Sequence, residues 1–298
     1  MRTSRCRKMC CTIQAWRLGV AVLLTMLICT GQARAQSHSP DILFQNQISG
    51  QLVDWQMSGV SLAQYRFLTD PGSIAWKVVG SGDFTGDGNP DILLQNQSTG
   101  QLLYWAMDGR AFVRFGFIQP DNPGSPDWHV VAVTDLDGDG KPDILFQNQA
   151  TGQLVYWIMN GASFVRYGFL PDPGSVSWKV VATADFNKDG SADIVLQNQQ
   201  TGAIVYWLMN HTALVQFGLF PDPGSVNWRV VGAADFTGDS SPDILLQNTL
   251  TNDLIYWKMN GLTLVQVGFV NPTSPGPVAW RAAILWSPNV GSVNGTIH

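Results

Sequence analysis

A six-residue string that recurs at nearly constant spacing constrains the fold of this chain more than any other feature. The string Asp-Ile-(Leu/Val)-(Leu/Phe)-Gln-Asn begins at Asp41, Asp91, Asp143, Asp193 and Asp243, so that its copies are 50, 52, 50 and 50 residues apart. Tryptophan recurs in register with the string, at Trp55, Trp105, Trp157, Trp207 and Trp257 and again at Trp76, Trp128, Trp178, Trp228 and Trp280. A period of this length is typical of solenoids and propellers, in which each repeat is one supersecondary unit.

Each copy of the repeat predicts four short strands. In the third copy we expect them at Trp128–Val133, Asp143–Asn148, Gln153–Met159 and Ser163–Leu170, separated by turn signals such as Asn160-Gly161. The third strand is apolar on both of its alternating faces, so both faces must be covered. Radially packed sheets meet that requirement. The predicted fold is therefore all-β: a five-bladed β-propeller of four-stranded antiparallel blades.

The two ends of the repeat array predict how the ring closes. The first copy begins at Asp41 without an innermost strand, whereas an additional segment, Trp280–Leu285, follows the last copy and matches that strand. We expect this C-terminal strand to close the ring. The propeller is assigned to residues 36–286, with repeats that start near 41, 83, 135, 185 and 235, and residues 287–298 are assigned to a C-terminal tail.

The first 35 residues predict a signal peptide. They combine a basic start, an apolar run from Leu18 to Ile28 and the small-x-small sequence Ala33-Arg34-Ala35. The apolar run is short for a membrane span. We therefore expect a secreted protein, extracellular or periplasmic, with no membrane span after cleavage. All four cysteines lie within these residues, so the mature chain cannot form a disulfide.

The charge balance excludes several functions. All 22 acidic residues are aspartate, which removes any mechanism that needs a glutamate and also the EF-hand with its closing Glu. The signal peptide holds six of the 17 basic residues and no acid, which leaves 11 basic and 22 acidic side chains and a net charge of −11. Such an acidic protein is not expected to bind nucleic acid.

Four copies carry a nine-residue acidic loop between their first and second strands, at 83–91, 135–143, 185–193 and 235–243. Oxygens at loop positions 1, 3, 5 and 9 converge if the backbone turns sharply near position 6, and hard oxygen ligands in a flexible loop favour calcium. The predicted ligands are Asp83, Thr85, Asp87, Asp91, Asp135, Asp137, Asp139, Asp143, Asp185, Asn187, Asp189, Asp193, Asp235, Asp239 and Asp243. The alternative is that Asp-Gly only forms tight turns, but clustered carboxylates repel one another without a cation. We expect the loop 135–143 to bind most tightly and 235–243, with Thr237 and Ser240, least.

The signature Asp-Phe-x-Gly-Asp-Gly-x-x-Asp-Ile in these loops resembles the FG-GAP or VCBS-type repeat, known from the β-propellers of integrin α subunits. The resemblance covers residues 40–285. It implies a propeller fold and calcium at positions 1, 3, 5 and 9 of each loop. The first copy departs from the pattern because it has no loop.

Amide and aromatic side chains that recur with the repeat are candidate glycan ligands, because stacking and directional hydrogen bonds together recognise sugars. The candidates are Gln95, Asn96, Trp105, Gln147, Asn148, Trp157, Gln197, Asn198 and Trp207. The alternative is that tryptophan fills the core between blades and the amides cap strand ends.

A basic residue or histidine follows each tryptophan of the second series, at Lys77, His129, Lys179, Arg229 and Arg281. Five-fold symmetry predicts that these residues form a ring, opposite the acidic loops, that attracts anions. The alternative is that each pairs with an aspartate of a crossing loop, such as Asp172 or Asp222.

No catalytic constellation that breaks the repeat is evident in the sequence, so an enzyme is the less favoured reading. We expect a monomeric, secreted, calcium-binding recognition or adhesion module that binds a glycan or an extracellular protein, in a lectin-like, multivalent manner. The alternatives are a secreted lyase or hydrolase with its site at a channel mouth, and a protein-binding scaffold.

Overall fold

The computed structural model describes residues 39–287, and in that range it contains twenty β-strands and no helix. The strands are β1 (Asp41–Asn46), β2 (Leu52–Ser58), β3 (Ser61–Phe67), β4 (Trp76–Gly82), β5 (Asp91–Asn96), β6 (Leu102–Asp108), β7 (Ala111–Phe117), β8 (Trp128–Thr134), β9 (Asp143–Asn148), β10 (Leu154–Asn160), β11 (Ser163–Phe169), β12 (Trp178–Ala184), β13 (Asp193–Asn198), β14 (Ile204–Asn210), β15 (Ala213–Leu219), β16 (Trp228–Ala234), β17 (Asp243–Asn248), β18 (Leu254–Asn260), β19 (Thr263–Phe269) and β20 (Trp280–Trp286). The strands predicted for the third copy are confirmed to within one residue at each end.

The strands form five antiparallel sheets of four, which are the blades of a propeller. Blade 1 has the order β20-β1-β2-β3, and blades 2 to 5 are β4–β7, β8–β11, β12–β15 and β16–β19. The innermost strands contact one another in the circular order β20, β4, β8, β12, β16 and back to β20. The predicted five-bladed propeller is confirmed.

The C-terminal strand closes the ring as predicted. β20 pairs antiparallel with β1, and the register places Trp286 opposite Asp41 and Trp280 opposite Asn46. Blade 1 is thus assembled from both ends of the array. The predicted signal peptide and all but the first residue of the predicted tail lie outside the described residues.

The hydrophobic core consists of layers between neighbouring blades. One such layer joins Phe84 and Leu93 of blade 2 to Ile144, Phe146 and Trp157 of blade 3. The third strand of blade 3, β10, is buried along its length except at its last residue. The inference that a strand with two apolar faces lies between two neighbours is confirmed for this strand.

The outermost strand of each blade exposes both polar and apolar side chains. One position of these strands is polar and exposed in every blade, for example Arg114 and Arg166. The alternate positions nevertheless expose apolar side chains, such as Tyr167 at 61% and Phe217 at 69%. Blades diverge as they leave the axis, so the outer strands have no neighbour close enough to cover that face. The rim is therefore apolar as well as polar.

Candidate functional site

The acidic loops are organised by their first and last aspartates. In the loop 83–91, Asp83 accepts hydrogen bonds from the amides of Gly86, at 2.7 Å, and Gly88, at 2.8 Å. Gly88 has a φ of 89°, a conformation that glycine adopts without strain. Asp91 is fully buried, and its two oxygens accept from Phe84 N in the loop and Met107 N in the third strand. These bonds orient the loop on its own blade.

The loop 135–143 brings three carboxylates together. Asp135, Asp137 and Asp143 each offer an oxygen within 4.8 Å of the others. Burial and, to a smaller extent, the charges of Asp137 and Asp135 raise the pKa of Asp143 to about 6, against the opposite effect of hydrogen bonds from the backbone. Asp139, also predicted as a ligand, lies outside this cluster and accepts from Lys141 N at 2.9 Å. Arg166 Nη2 lies 3.0 Å from Asp137 Oδ2, and Lys141 Nζ lies 3.7 Å from Asp139 Oδ2; both cationic side chains are exposed. A cluster of carboxylate oxygens whose only cations are exposed side chains that an ion can displace fits a hard divalent cation such as calcium.

The loops 83–91 and 185–193 repeat much of this arrangement. Burial raises the pKa of both Asp91 and Asp193 to about 6, with a further contribution from the neighbouring aspartates of each loop. In the second of these loops, Asn187 donates to Asp189 at 2.8 Å, so the side chains at positions 3 and 5 lie side by side.

A lysine from the third strand of blade 5 forms an ion pair with the loop 235–243. Lys258 Nζ lies 3.0 Å from Asp239 Oδ2, and the equivalent residues of the other blades are neutral. Burial acts to raise the pKa of Asp239, but hydrogen bonds from Lys258 and Ser241 outweigh it and lower the pKa. Ser240 replaces the turn glycine at a φ of 65°. The lysine at Asp239 and the serine at the turn position make this loop less suited to a metal than the loops 83–91 and 185–193.

Blade 1 has no acidic loop, and an arginine from blade 2 occupies the corresponding position. Arg110 forms ion pairs with Asp41, the equivalent of the last loop aspartate, and with Asp54, to which its Nε donates at 2.8 Å. Asp54 also accepts from Trp286 Nε1 at 3.0 Å. The indole thus holds the closing strand to β2, and the guanidinium joins blade 2 to blade 1.

This cluster replaces a pair that the other blades share. In blades 2 to 5 a tyrosine of the third strand faces a glycine of the fourth, for example Tyr104 and Gly116, and a Cβ at that glycine would collide with the ring. In blade 1 the same two positions hold Asp54 and Arg66. The sequence analysis missed this off-repeat set; the exchange of Tyr and Gly for Asp and Arg was the available signal.

The glutamines predicted as glycan ligands are buried between blades and not exposed to solvent. Gln95, Gln147 and Gln197 are fully buried, and each bridges to the innermost strand of the next blade. Gln147 Nε2 donates to Trp178 O at 2.7 Å, and its Oε1 accepts from Val180 N at 3.2 Å. The amide is therefore used within the fold, and this corrects the assignment of these glutamines as ligand contacts.

The asparagines that follow these glutamines cap turns. Asn148 Oδ1 accepts from Ala150 N at 3.0 Å and Thr151 N at 2.9 Å, and Asn96 and Asn198 make the equivalent bonds. Their side-chain carbonyl oxygens accept hydrogen bonds from the backbone at the ends of the strands, as the alternative to glycan binding predicts.

Two of the three candidate tryptophans line clefts on the rim. A cleft of about 290 Å³ in blade 3 is lined by Trp128, Trp157 and Tyr167. A cleft of about 310 Å³ in blade 4 is lined by Trp178, Trp207 and Phe217, which are the equivalent residues. The cleft is thus a repeated feature. Trp105 instead lines a cavity of about 220 Å³ beside Arg66 and Arg110.

A larger depression of about 650 Å³ lies between the acidic loops of blades 2 and 3. Its charged lining consists of Asp83, Asp135 and Lys141. Both aspartates accept hydrogen bonds from the amides of their own loops. The depression therefore supplies loop ligands rather than a separate set of acid, base and nucleophile.

Five antiparallel blades, four of them with an acidic loop between the first and second strands, define a repeat β-propeller. A family model described as an FG-GAP-like repeat matches residues 83–146, 135–196 and 185–246. These matches together span 83–246, more than half of the chain, and the chain belongs to the FG-GAP repeat family. No curated protein matches the sequence.

Solved structures with a similar arrangement have little sequence in common with this chain. The nidogen/laminin complex matches with 10% identity and a TM-score of 0.45 over 79% of this chain and 95% of that chain. Luciferin-regenerating enzyme matches with 10% identity and a TM-score of 0.46 over 78% and 76%. The calcium-binding protein regucalcin from Agrobacterium tumefaciens matches with 9% identity and a TM-score of 0.42 over 77% and 74%. These values carry no inference about function. No helix of membrane-spanning length and hydrophobicity occurs within residues 39–287.

Proposed function

We propose that the protein is a secreted, calcium-stabilised recognition propeller that binds glycans at the clefts of its rim. The observation that carries the proposal is the repeated cleft in blades 3 and 4, in which two tryptophans and an exposed ring from the outermost strand line one space. Aromatic faces stack on the apolar faces of sugars, and polar groups beside them supply direction.

The repeat itself supports multivalent recognition. Equivalent clefts in different blades present the same groups at fixed angles around one axis. Individually weak contacts then become effective against a surface that displays many copies of a ligand, because every contact after the first is intramolecular. A catalyst gains nothing from this arrangement, whereas an adhesin or lectin does.

Calcium would act by ordering the acidic loops. Asp135, Asp137 and Asp143 would hold the ion in blade 3, and it would offset the repulsion between their charges. With a Kd on the order of 0.1 mM, calcium at about 1 mM adds roughly 1.4 kcal/mol of stability per occupied site. Removal of calcium with a chelator should lower the melting temperature by several degrees. An unchanged melting temperature would contradict stabilisation by calcium.

Glycan recognition is tested by screening the mature chain on a glycan array and titrating the strongest binder by calorimetry. Tyr167 and Phe217 line the clefts and are exposed, so Tyr167→Ala and Phe217→Ala should each weaken binding several-fold without unfolding the protein. Val165→Ala and Val215→Ala remove exposed side chains from the same strands outside the clefts and serve as controls. We expect a stoichiometry above one. An array without any bound glycan would instead favour the protein scaffold.

A further inference from the structure

The five basic residues at the second position of the innermost strands lie on the face opposite the acidic loops. They are Lys77, His129, Lys179, Arg229 and Arg281, on β4, β8, β12, β16 and β20. Because these strands contact one another in a closed circle, equivalent positions on them surround the central axis. Each innermost strand starts beside its basic residue, and in blades 2 to 5 it ends at the acidic loop. We call these five residues the basic ring.

Members of the basic ring bond to neutral acceptors across the seam between blades. Lys77 Nζ donates to Gln47 Oε1 at 2.9 Å, in the preceding blade. Arg229 Nη2 donates to the carbonyl of Gln199 at 2.9 Å, and Arg281 Nη2 donates to the carbonyl of Thr249 at 3.0 Å. These contacts hold the cations in place without neutralising their charge.

The aspartates predicted as alternative ion-pair partners of the basic ring form hydrogen bonds within their own crossing loops. Asp172 accepts from Gly174 N and Asp222 from Gly224 N, each at 2.8 Å, in turns of their own crossing loops. Among residues 39–287, no member of the basic ring forms an ion pair with an aspartate. In the same range, Arg229 Nη1 is buried and has no hydrogen-bond acceptor.

The side chains of the ring are partly removed from water, and their positive charges repel one another. Burial lowers the pKa of His129, and the charge of Lys179 lowers it further, against the opposite effect of Asp127. Burial also lowers the pKa of Lys77 and of Lys179. Partly dehydrated cations attract an anion more strongly than cations in open water do.

We infer that the basic ring is a binding site for multivalent oxyanions, such as the sulfate or carboxylate groups of an acidic polysaccharide. Guanidinium and ammonium groups are the donors that recognise such groups. On a mature chain with 22 acidic residues and 11 basic ones, five of the basic or histidine side chains would define one local anion site. The site is separate from the rim clefts and does not depend on glycan binding there.

The test uses dextran sulfate and unsulfated dextran of the same length as probes, with calcium present, and measures affinity by calorimetry. We expect dextran sulfate to bind, with an affinity that falls as sodium chloride rises, and unsulfated dextran not to compete for the ring. The double variant Lys179→Gln, Arg229→Gln should bind dextran sulfate at least about fivefold more weakly, since each exposed ion pair contributes up to about 1 kcal/mol.

The control variant Arg114→Gln removes one positive charge from the exposed outermost strand of blade 2 and is compared with the single variant Lys179→Gln. The control should change the affinity by less than about twofold. Lys179→Arg, which keeps the charge, should bind as the wild type does, and thermal melts identify any variant that fails to fold. Equal affinity of the wild type and the ring variant, or an equal loss in the control, would overturn the proposal.

Discussion

Gln247 of blade 5 and Trp280 of blade 1 are joined by a hydrogen bond of 3.1 Å from the side-chain Nε2 to the backbone carbonyl. Gln247 Oε1 also accepts from Ala282 N at 3.0 Å. The same two-bond clamp links Gln45, Gln95, Gln147 and Gln197 to the next innermost strand. The seam between blades 5 and 1 is therefore bonded like the other four, although blade 1 takes its innermost strand, β20, from the opposite end of the array to β1.

Removal of one clamp should destabilise the whole ring. Gln147→Met keeps the approximate volume but leaves Trp178 O and Val180 N without their partner. We expect a loss of about 2–4 kcal/mol in the free energy of unfolding, measured by denaturant titration. Gln216→Met, on an exposed outermost strand, should change it by less than about 0.5 kcal/mol. Similar stabilities for the two variants would show that the clamp contributes little.

Truncation after Ala279 should prevent formation of a stable ring. It removes β20, which pairs with β1 along its length and is held by Gln247. The apolar flanks of blades 5 and 2 would then be exposed, and we expect aggregation or loss of cooperative unfolding. A chain that ends at Ser287 retains β20 and should unfold cooperatively. A soluble, cooperative chain that ends at 279 would refute closure by this strand.

Arg110 should be among the most sensitive positions in blade 2. Arg110→Met leaves the buried carboxylates of Asp41 and Asp54 without their cation, at a cost of about 3–5 kcal/mol in the free energy of unfolding. Asp41→Asn and Asp54→Asn, added together to Arg110→Met, should restore much of that loss because both buried carboxylate charges are removed and only Arg66, 3.9 Å from Asp54, stays charged. Arg114→Met is the control. A triple variant less stable than the single one would argue against the ion-pair explanation.

Lys258 should limit the number of calcium ions that the chain binds. Its ammonium group lies at Asp239 and is 31% exposed, whereas the Arg166 side chain at Asp137 is 53% exposed and is displaced more easily. We therefore expect three ions per wild-type chain, in the loops of blades 2 to 4. Lys258→Leu introduces the residue that blade 4 has at this position, Leu208, and should raise the stoichiometry to four in a calcium titration. Ala106→Val, at the equivalent position of blade 2, should leave it unchanged. Four ions on the wild type, or no gain in the variant, would contradict this role.

Stability in the absence of calcium should depend on pH. The pKa values of Asp91, Asp143 and Asp193 are raised to about 6 by burial, against 3.8 in an unfolded chain. The folded state then binds more protons than the unfolded state between these values, so the free energy of unfolding falls as pH rises from about 4 to 6. Calcium requires the ionised carboxylates, so the gain in melting temperature on adding calcium should be larger at pH 7 than at pH 5. An equal gain at both values would contradict this linkage.

Much of the fold follows from the sequence because the decisive signals are local. The spacing of the Asp-Ile string determines five copies, the alternation within each copy determines four strands, and the surplus segment at Trp280 indicates closure. The acidic loops are equally local, since their side chains lie within nine residues of one another. Periodicity and turn chemistry act over the same short distances and are therefore readable in the chain.

Only the tertiary structure determined which side chains are exposed to a ligand and which residues the buried polar side chains bind. Gln147 and Trp157 have the composition of a sugar site, yet one clamps the next blade and the other lies at the base of a rim cleft. Arg110 and Lys258 form ion pairs with aspartates outside their own strands. Arg110 and Asp54 are 56 residues apart in the sequence. The exposure of Tyr167 depends on how far neighbouring blades diverge from the axis. A repeat in sequence specifies equivalent positions, but the cost of burying a polar group or a charge depends on neighbours that only the assembled ring supplies.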